Sequence, residues 1–262
     1  MKTEAGTTDN TFLETALSAV RSAGRIVREN IDTVFRVDHK GATDLVTEVD
    51  LAAEKEIIAQ LSRAFPEHRI AAEESGRKKG ESDYVWWIDP IDGTTNFVHG
   101  YPCYSISVAL ECQSEIILGI VYDPTRDELF QAVRGEGAQL NGCPITVSSV
   151  ETLSESLLAT GFPYDRALRG RALSLAARLL PRVQGIRRDG SAARDLAYVA
   201  AGRLDGFWEF GLKPWDTAAG RLLVEEAGGS VSDFKGEAFD IHQGAVVATN
   251  RRIHAELVAL LN

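Results

Sequence analysis

The sequence has little of what marks secreted, membrane-spanning or nucleic-acid-binding proteins. Its three cysteines are odd in number and lack metal-site spacing, so we expect inert, reduced thiols in a cytoplasmic protein. No apolar run is long enough to span a bilayer, and residues 1–6 lack the apolar core of a signal peptide. The formal net charge of −10 argues against nucleic acid as the main partner. It does not argue against an anionic substrate, because bound cations reverse the local sign of charge.

The pattern of apolar residues in the 262-residue chain is typical of a layered protein that mixes helices and strands. With 44% hydrophobic and 25% charged residues, the composition is that of a globular protein. Helical spacing predicts an amphipathic helix over 10–30 and a second helix that Asp50 caps. Strand patterns over 104–110, 116–122 and 128–134 predict an antiparallel meander.

A change in composition divides the chain near Pro144. Beyond it, short apolar runs alternate with helices, one of which we expect over 171–180. We therefore predict two subdomains, 1–144 and 145–262, in a fold of α+β or α/β class. Both should supply residues to a site that lies between them.

The run WIDPIDGTTN at 87–96 carries the strongest chemical signal. Residues 84–88 read as a buried strand that Pro90 ends, which places Asp89 and Asp92 at the carboxyl end of the strand. Carboxylates this close repel each other unless a cation lies between them, and their oxygens suit hard cations such as Mg²⁺. A helix that opens at residues 93–95 would present free N–H groups to a phosphate.

Two further carboxylates belong with this pair. Glu73 follows the short apolar run at 70–71, at a probable strand end, and Asp216 is predicted to be the N-cap of a helix. Taken singly, each of these acidic residues would be read as a surface turn, a cap or a solvated charge. Their combination is what indicates a site for metal ions and phosphate.

Together the motifs resemble the inositol monophosphatase family, and the segment 192–220 looks most like its bacterial members. The matching segments, in the order of the family, are DLVTEVD at 44–50, EES at 73–75, DPIDGTTNFVHG at 89–100, GSAA at 190–193, WDTAAG at 215–220 and EEAGG at 225–229. The resemblance implies a layered α-β-α-β-α sandwich and a homodimer. It further implies a Mg²⁺-dependent, Li⁺-sensitive phosphatase that forms no phospho-enzyme.

The resemblance also assigns metal and catalytic roles to matching positions. Glu73, Asp89, Asp92, Asp216 and the carbonyl of Ile91 correspond to ligands for two or three Mg²⁺ ions. Glu73, together with Thr94 and Thr47, corresponds to the groups that orient and activate the attacking water. Asp50 corresponds to a carboxylate that tunes this network from behind.

Substrate binding is implied for residues of both halves. Gly93 and Thr94 correspond to backbone donors to phosphate oxygens, and Asp92 also faces the substrate. Ser191, Ala192 and Glu209 correspond to the segment that reads the inositol ring, and an ionised carboxylate suits a polyol because it only accepts hydrogen bonds. Thr95, where nucleotide and histidinol phosphatases of the wider group tend to have lysine, favours inositol-1-phosphate as the substrate.

Two alternatives to this function stay open. The main substrate could instead be fructose-1,6-bisphosphate, histidinol phosphate or a 3′-phosphorylated nucleotide. The chain could also be a transcription-associated binding protein with secondary phosphatase activity, for which Arg187 and Arg188 offer a small basic spot. Arg194 departs from the small or apolar residue usual in the family, and the sequence leaves open whether it reaches the substrate or a partner subunit.

Overall fold

The computed structural model describes residues 5–31, 33, 35–39, 45–78, 81–163 and 165–262. Asp44, in the first of the family motifs, therefore lies outside the described residues. The helices are α1 (Ala5–Glu29), α2 (Glu48–Ala64), α3 (Thr94–Val98), α4 (Arg166–Leu179), α5 (Ala192–Ala200), α6 (Pro214–Glu226) and α7 (His254–Leu261). Among these described helices none is both long and apolar enough to cross a membrane.

A mixed eight-stranded sheet forms the first half of the fold. Its strands are β3 (Arg69–Ala72), β4 (Gly76–Lys78), β5 (Tyr84–Asp92), β6 (Ser105–Cys112), β7 (Glu115–Asp123), β8 (Glu128–Val133), β9 (Gly137–Leu140) and β10 (Cys143–Ile145), in the spatial order β10-β9-β8-β7-β6-β5-β3-β4. The run from β5 to β10 is antiparallel throughout, which confirms the predicted meander. A short ribbon of β1 (Val37–His39) and β2 (Leu45–Thr47) precedes it.

A second, five-stranded sheet forms the rest. Its strands are β11 (Leu157–Thr160), β12 (Gly185–Arg187), β13 (Gly206–Phe210), β14 (Ser230–Ser232) and β15 (Ala245–Thr249), in the spatial order β12-β11-β13-β15-β14. β11 pairs in parallel with β12 and β13, whereas β15 runs antiparallel to its neighbours. The predicted subdomain boundary after residue 144 falls inside β10, and the division into two units stays a prediction.

Alternation of large side chains along the strands sets the layers. Trp86 packs under α1 and α2, whereas its neighbour Trp87 faces the opposite side, where α5 and α6 lie. In the second sheet Phe207 faces α5 and α6, and Trp208 packs with α4 and α7. Because successive residues of a strand point to opposite faces, both sheets are covered on both sides. The resulting order of layers is the α-β-α-β-α sandwich that the family resemblance implied.

Two helices begin three residues earlier than their acidic residues suggested. The N-cap of α2 is Thr47, whose hydroxyl accepts from the amides of Val49 and Asp50; Asp50 is the third helical residue, and its carboxylate accepts from the Thr47 amide at 2.8 Å. Likewise Asp216 accepts from the amide of Lys213, the N-cap of α6, at 2.7 Å. The prediction that Asp50 and Asp216 are N-caps was therefore wrong, because each closes the cap from the first turn.

Two other element ends differ from prediction. β5 does not end at Pro90: Asp89 pairs with Ser107 and Asp92 with Ser105, and the register shifts between the two pairs. A proline is tolerated at such a bulge because the ladder does not use its missing N–H there. Helix α4 starts at Arg166, where Asp165 caps it, and so begins five residues before the predicted start at 171.

Candidate active site

Elements from both halves of the chain enclose one acidic cavity of about 220 Å³. The end of β5 contributes Asp89 and Asp92, and the residue after β3 contributes Glu73. Asp216, in the first turn of α6, and Glu209, in β13, close the cavity from the second half of the chain. The structure thus brings together all four predicted acidic metal ligands and the predicted ring-reading residue.

Asp89 is the most deeply placed of these carboxylates. It is 2% exposed, and burial raises its pKa well above the usual range, with repulsion from Glu73 and Asp92 adding to the effect. For Asp216, too, burial is the main cause of a strongly raised pKa, followed by repulsion from Asp92. Arg188 and Lys213 also line the cavity, yet burial and repulsion among the carboxylates dominate these two pKa shifts.

Asp92 is held by the start of α5. The Ser191 hydroxyl and the Ala193 amide both donate to its Oδ2 at 2.7 Å. Burial raises its pKa to about 6, and these donors oppose that rise. Ser191 is itself buried and bonded to Ser105, so it supports a predicted metal ligand and does not line the cavity.

The donor set fits hard divalent cations. The acidic side chains offer only oxygen ligands, and Ile91, whose carbonyl accepts from the Thr94 hydroxyl at 3.1 Å, also lines the cavity. Within the described residues no three acidic, histidine or cysteine side chains are gathered into a ready metal cage. The carboxylates nevertheless interact, because Asp89 is hydrogen-bonded to Glu73 and repelled by Asp92 and Asp216, and a bound cation would relieve that repulsion.

A hydrogen-bonded chain of Thr47, Asp50 and Thr94 lies behind the cavity. The Thr94 hydroxyl is 3.1 Å from both Asp50 Oδ1 and the Ile91 carbonyl oxygen, and the Thr47 hydroxyl bonds Asp50 Oδ2. Thr94 lines the cavity, whereas Thr47 and Asp50 do not. Burial raises the pKa of Asp50 to about 6. Because the Thr94 hydroxyl has one proton, the protonation of Asp50 decides which neighbour it donates to.

The opposite wall carries the groups expected to face an organic substrate. Glu209 is half-buried, and burial raises its pKa to about 8, helped by Asp92 and opposed by Arg188. Ala192 lines the same wall, as predicted. Gly161 makes room for Glu209, since a Cβ there would lie 2.0 Å from the carboxylate oxygen.

Two residues singled out in the sequence lie elsewhere. Thr95 is exposed and lines a neighbouring cavity rather than this one. Arg194 is buried, with its Nε 3.2 Å from Asp123 Oδ2, and so contacts neither the acidic cavity nor the surface. Arg194 therefore reaches neither the substrate cavity nor a partner subunit, and both predictions were wrong, because it pairs with the buried Asp123 at the end of β7.

Sequence reasoning missed several residues of the cavity wall. Arg188 was noted only as part of a basic spot, although it lies two residues before the GSAA motif. Phe162 and Lys213 also line the cavity and carry no sequence signal beyond their closeness to motif residues. Trp215 lines it as well and belongs to the WDTAAG motif, although it was given no role there.

The layered fold with its acidic cavity is a phosphatase-type fold. The sequence profile of the inositol monophosphatase family matches residues 9–262, and the chain belongs to that family. It is 47% identical to the Nus factor SuhB of Pseudomonas aeruginosa over 258 residues, which cover 95% of each chain.

Solved structures agree with this assignment. The extragenic suppressor protein suhB of Bartonella henselae superposes with a TM-score of 0.93 at 41% identity, covering 96% of this chain and 98% of that one. An IMPase/NADP phosphatase solved with Mg²⁺ and phosphate superposes with a TM-score of 0.85 at 25% identity, covering 97% and 96%.

Proposed function

We propose that this protein is a Mg²⁺-dependent, Li⁺-sensitive phosphate monoesterase that converts inositol-1-phosphate to myo-inositol and phosphate. The observation that carries the proposal is the convergence of Asp89, Asp92 and Asp216, with pKa values raised by burial and mutual repulsion, beside Glu209. Such a cavity accepts a phosphate only together with cations, and a related phosphatase was solved with Mg²⁺ and phosphate.

The metal ligands in this proposal are Glu73, Asp89, Asp92, Asp216 and the carbonyl oxygen of Ile91. Bound divalent cations would neutralise the phosphate, lower the pKa of a water and stabilise the leaving alkoxide. The chain contributes by holding the ligands in place: Ser191 and Ala193 fix Asp92, and the Lys213 amide fixes Asp216.

The phosphate would lie against the start of α3. Gly93 adopts φ 104°, and a Cβ there would lie within 3.1 Å of two backbone carbonyl oxygens, so only glycine leaves this turn open. The backbone N–H groups of Gly93 and Thr94 would donate to phosphate oxygens. The Thr94 hydroxyl, oriented by Asp50, would accept from the attacking water and direct its lone pair at phosphorus.

The polyol would lie between Ala192 and Glu209. An ionised Glu209 accepts hydrogen bonds from ring hydroxyls, and Arg188 nearby favours the ionised form. The two sides of the cavity come from different halves of the chain, so substrate binding would join them.

The test is phosphate release from inositol-1-phosphate, fructose-1,6-bisphosphate, histidinol phosphate and 3′-phosphoadenosine 5′-phosphate, with Mg²⁺ titrated and Li⁺ added. We expect Mg²⁺-dependent, Li⁺-inhibited turnover led by inositol-1-phosphate. Asp92→Asn should lower kcat at least about a hundredfold with an unchanged circular dichroism spectrum, whereas the exposed control Asp38→Asn should not. Wild-type turnover by Asp92→Asn at saturating Mg²⁺ would refute the ligand assignment.

A second function is supported by the name of the relatives, Nus factor SuhB. We propose that this chain also associates with the transcription machinery, as a homodimer in its free state. Light scattering would give the oligomeric state. Binding of purified RNA polymerase with its Nus factors is measured for the wild type and for Asp92→Asn. Binding of both would show that association is independent of catalysis, and no binding of either would refute the association.

A further inference from the structure

The turn that carries Glu73 is held by a carboxylate of α2. This turn, residues 73–75, joins β3 to β4 in an antiparallel hairpin at the edge of the eight-stranded sheet. Glu54 of α2 accepts from the Glu74 amide at its Oε2 and from the Ser75 amide at its Oε1, both at 2.8 Å. The two oxygens of one side chain thus hold two consecutive amides of the turn.

Glu54 is buried, and its contacts with the turn explain why a carboxylate lies there. It is 2% exposed, and none of the ion pairs among the described residues includes it. Packing of the helix alone would be served by an apolar side chain, like those of Ala53 and Ile57 beside it. Because a buried carboxyl group costs free energy unless it is hydrogen-bonded, the two amides of the turn are what this position requires.

The backbone of Glu73 is fixed on both sides. Its own amide donates to the Ile88 carbonyl of β5 at 3.1 Å, and the next amide, that of Glu74, is the one that Glu54 accepts from. Because peptide units are planar, only the torsions φ and ψ of a residue relate its two flanking peptide planes. Strand β5 holds one of these planes and α2 holds the other, so the direction in which the Glu73 side chain leaves the backbone is set.

The same helix also holds a group on another part of the cavity wall. Asp50, four residues before Glu54 in α2, accepts from the Thr94 hydroxyl at 3.1 Å. Residues four apart lie on the same face of a helix, so one face of α2 reaches both Thr94 and the turn of Glu73. Since Thr94 and Glu73 both line the cavity, a single rigid element relates two of its walls.

We propose that Glu54 is a positioning residue that raises the affinity of the acidic cavity for Mg²⁺ by holding the metal ligand Glu73 in place. This inference rests on the proposed phosphatase function, and it adds to that function a residue that is not among those lining the cavity. Glu54→Gln keeps the size of the side chain but replaces one acceptor oxygen by an NH₂ group, which cannot accept from an amide. One of the two bonds to the turn is then lost.

Calorimetric titration of the protein with Mg²⁺ alone is the test. Groups that orient a metal ligand from outside typically contribute about 10–100-fold in affinity, so Glu54→Gln should raise the Kd for Mg²⁺ at least about tenfold. The amides of Glu74 and Ser75 should also exchange their hydrogens faster in this variant. Glu56→Gln is the matched control, because its carboxylate accepts from Gln60 of the same helix at 2.7 Å, and it should leave the Kd unchanged.

A second control separates positioning from a general loss of stability. Ile57→Val removes a buried methyl group from α2, and it should lower the urea midpoint of unfolding without changing the Kd for Mg²⁺. If Glu54→Gln does not fold, Glu54→Asp replaces it in the same comparison, because it keeps both oxygens but shortens their reach by one methylene group.

The outcomes separate this role from the phosphatase proposal. A Kd in the Glu54 variant equal to that of the wild type, or raised no more than in Ile57→Val, would refute the role of Glu54 and leave the phosphatase proposal standing. If the wild type itself binds no Mg²⁺, the metal assignment of the proposed function fails, and the role of Glu54 fails with it.

Discussion

Replacing Arg194 by methionine should destabilise the protein, although this residue lies outside the cavity. Its guanidinium is 3.2 Å from the fully buried Asp123, in a contact that is electrostatic rather than a well-aligned hydrogen bond. It also donates to the Tyr198 hydroxyl at 3.1 Å and lies over that ring at 4.6 Å. Arg194 thereby ties α5, the helix whose start holds Asp92, to the end of β7.

The expected cost follows from the groups left behind. Removing one partner of a buried ion pair costs about 3–5 kcal/mol. Asp123 keeps donors in Arg126 and in Thr125, whose amide and hydroxyl lie at 2.9 and 2.6 Å, which puts the cost at the lower end. Arg194 Nη1 is buried without a hydrogen-bond partner among the described residues, and its removal returns about 1 kcal/mol. We therefore expect a net loss of about 2 kcal/mol.

Urea unfolding of the wild type, Arg194→Met, Asp123→Asn and the double variant measures this loss and its origin. If the ion pair is responsible, the double variant should lose less stability than the sum of the single variants. A change below about 0.5 kcal/mol in Arg194→Met, or strict additivity of the two changes, would refute the reasoning. If Arg194→Met needs a higher Mg²⁺ concentration than the wild type for half-maximal activity, the ion pair is connected to the position of Asp92.

Three further predictions concern the cavity charges, the packing of α6 and a glycine of α4. The raised pKa values of Glu209 (about 8), Asp92 and Asp50 (about 6 each) mean that the folded chain binds more protons than the unfolded one, so with a chelator the melting temperature should fall as pH rises from 5 to 8. Saturating Mg²⁺ should flatten this slope, and a melting temperature that rises with pH in chelator would contradict it. Gly119→Ala would place a Cβ 2.8 Å from the Ala219 carbonyl oxygen and should cost about 1–3 kcal/mol in urea unfolding and displace α6 with Asp216. In Gly170→Ala, within α4, the added Cβ would have no other atom within 4 Å, and this variant should instead raise the free energy of unfolding by up to about 1 kcal/mol.

Elements set by local patterns were predictable from the sequence. The spacing of apolar residues from Phe12 to Val27 gave α1, and alternation gave the strands of the meander. Pro90 misled because its consequence depends on the partner strand: the bulge opposite Ser105 and Ser107 accommodates a residue without an N–H. Asp216 misled in a similar way, since a carboxylate can cap a helix from the N-cap or from the third position.

The acidic side of the cavity was predictable because its chemistry is carried by motif residues. The basic side was not, because the direction of an arginine is chosen by partners far away in sequence. Arg188 faces the cavity because it packs over the Phe162 ring and because Gly190 leaves room for it. Arg194 points away from the cavity because it pairs with the buried Asp123. No local sequence pattern distinguishes these two arginines. They are six residues apart, yet Arg188 lines the cavity and Arg194 is buried in the interior.

The acidic cavity lowers the stability of the metal-free chain. Burial and repulsion raise the pKa values of Asp89, Asp92 and Asp216 together, so each ionised carboxylate opposes folding near neutral pH. The fold offsets this locally with backbone and hydroxyl donors, and it anchors α5 through the buried ion pair of Arg194 and Asp123. Because a ligand that binds only the folded state stabilises it, cations bound as proposed would couple binding to folding in this site. On the proposed function, the donors that hold Asp92 and Asp216 in place would contribute to cation affinity together with the carboxylates themselves.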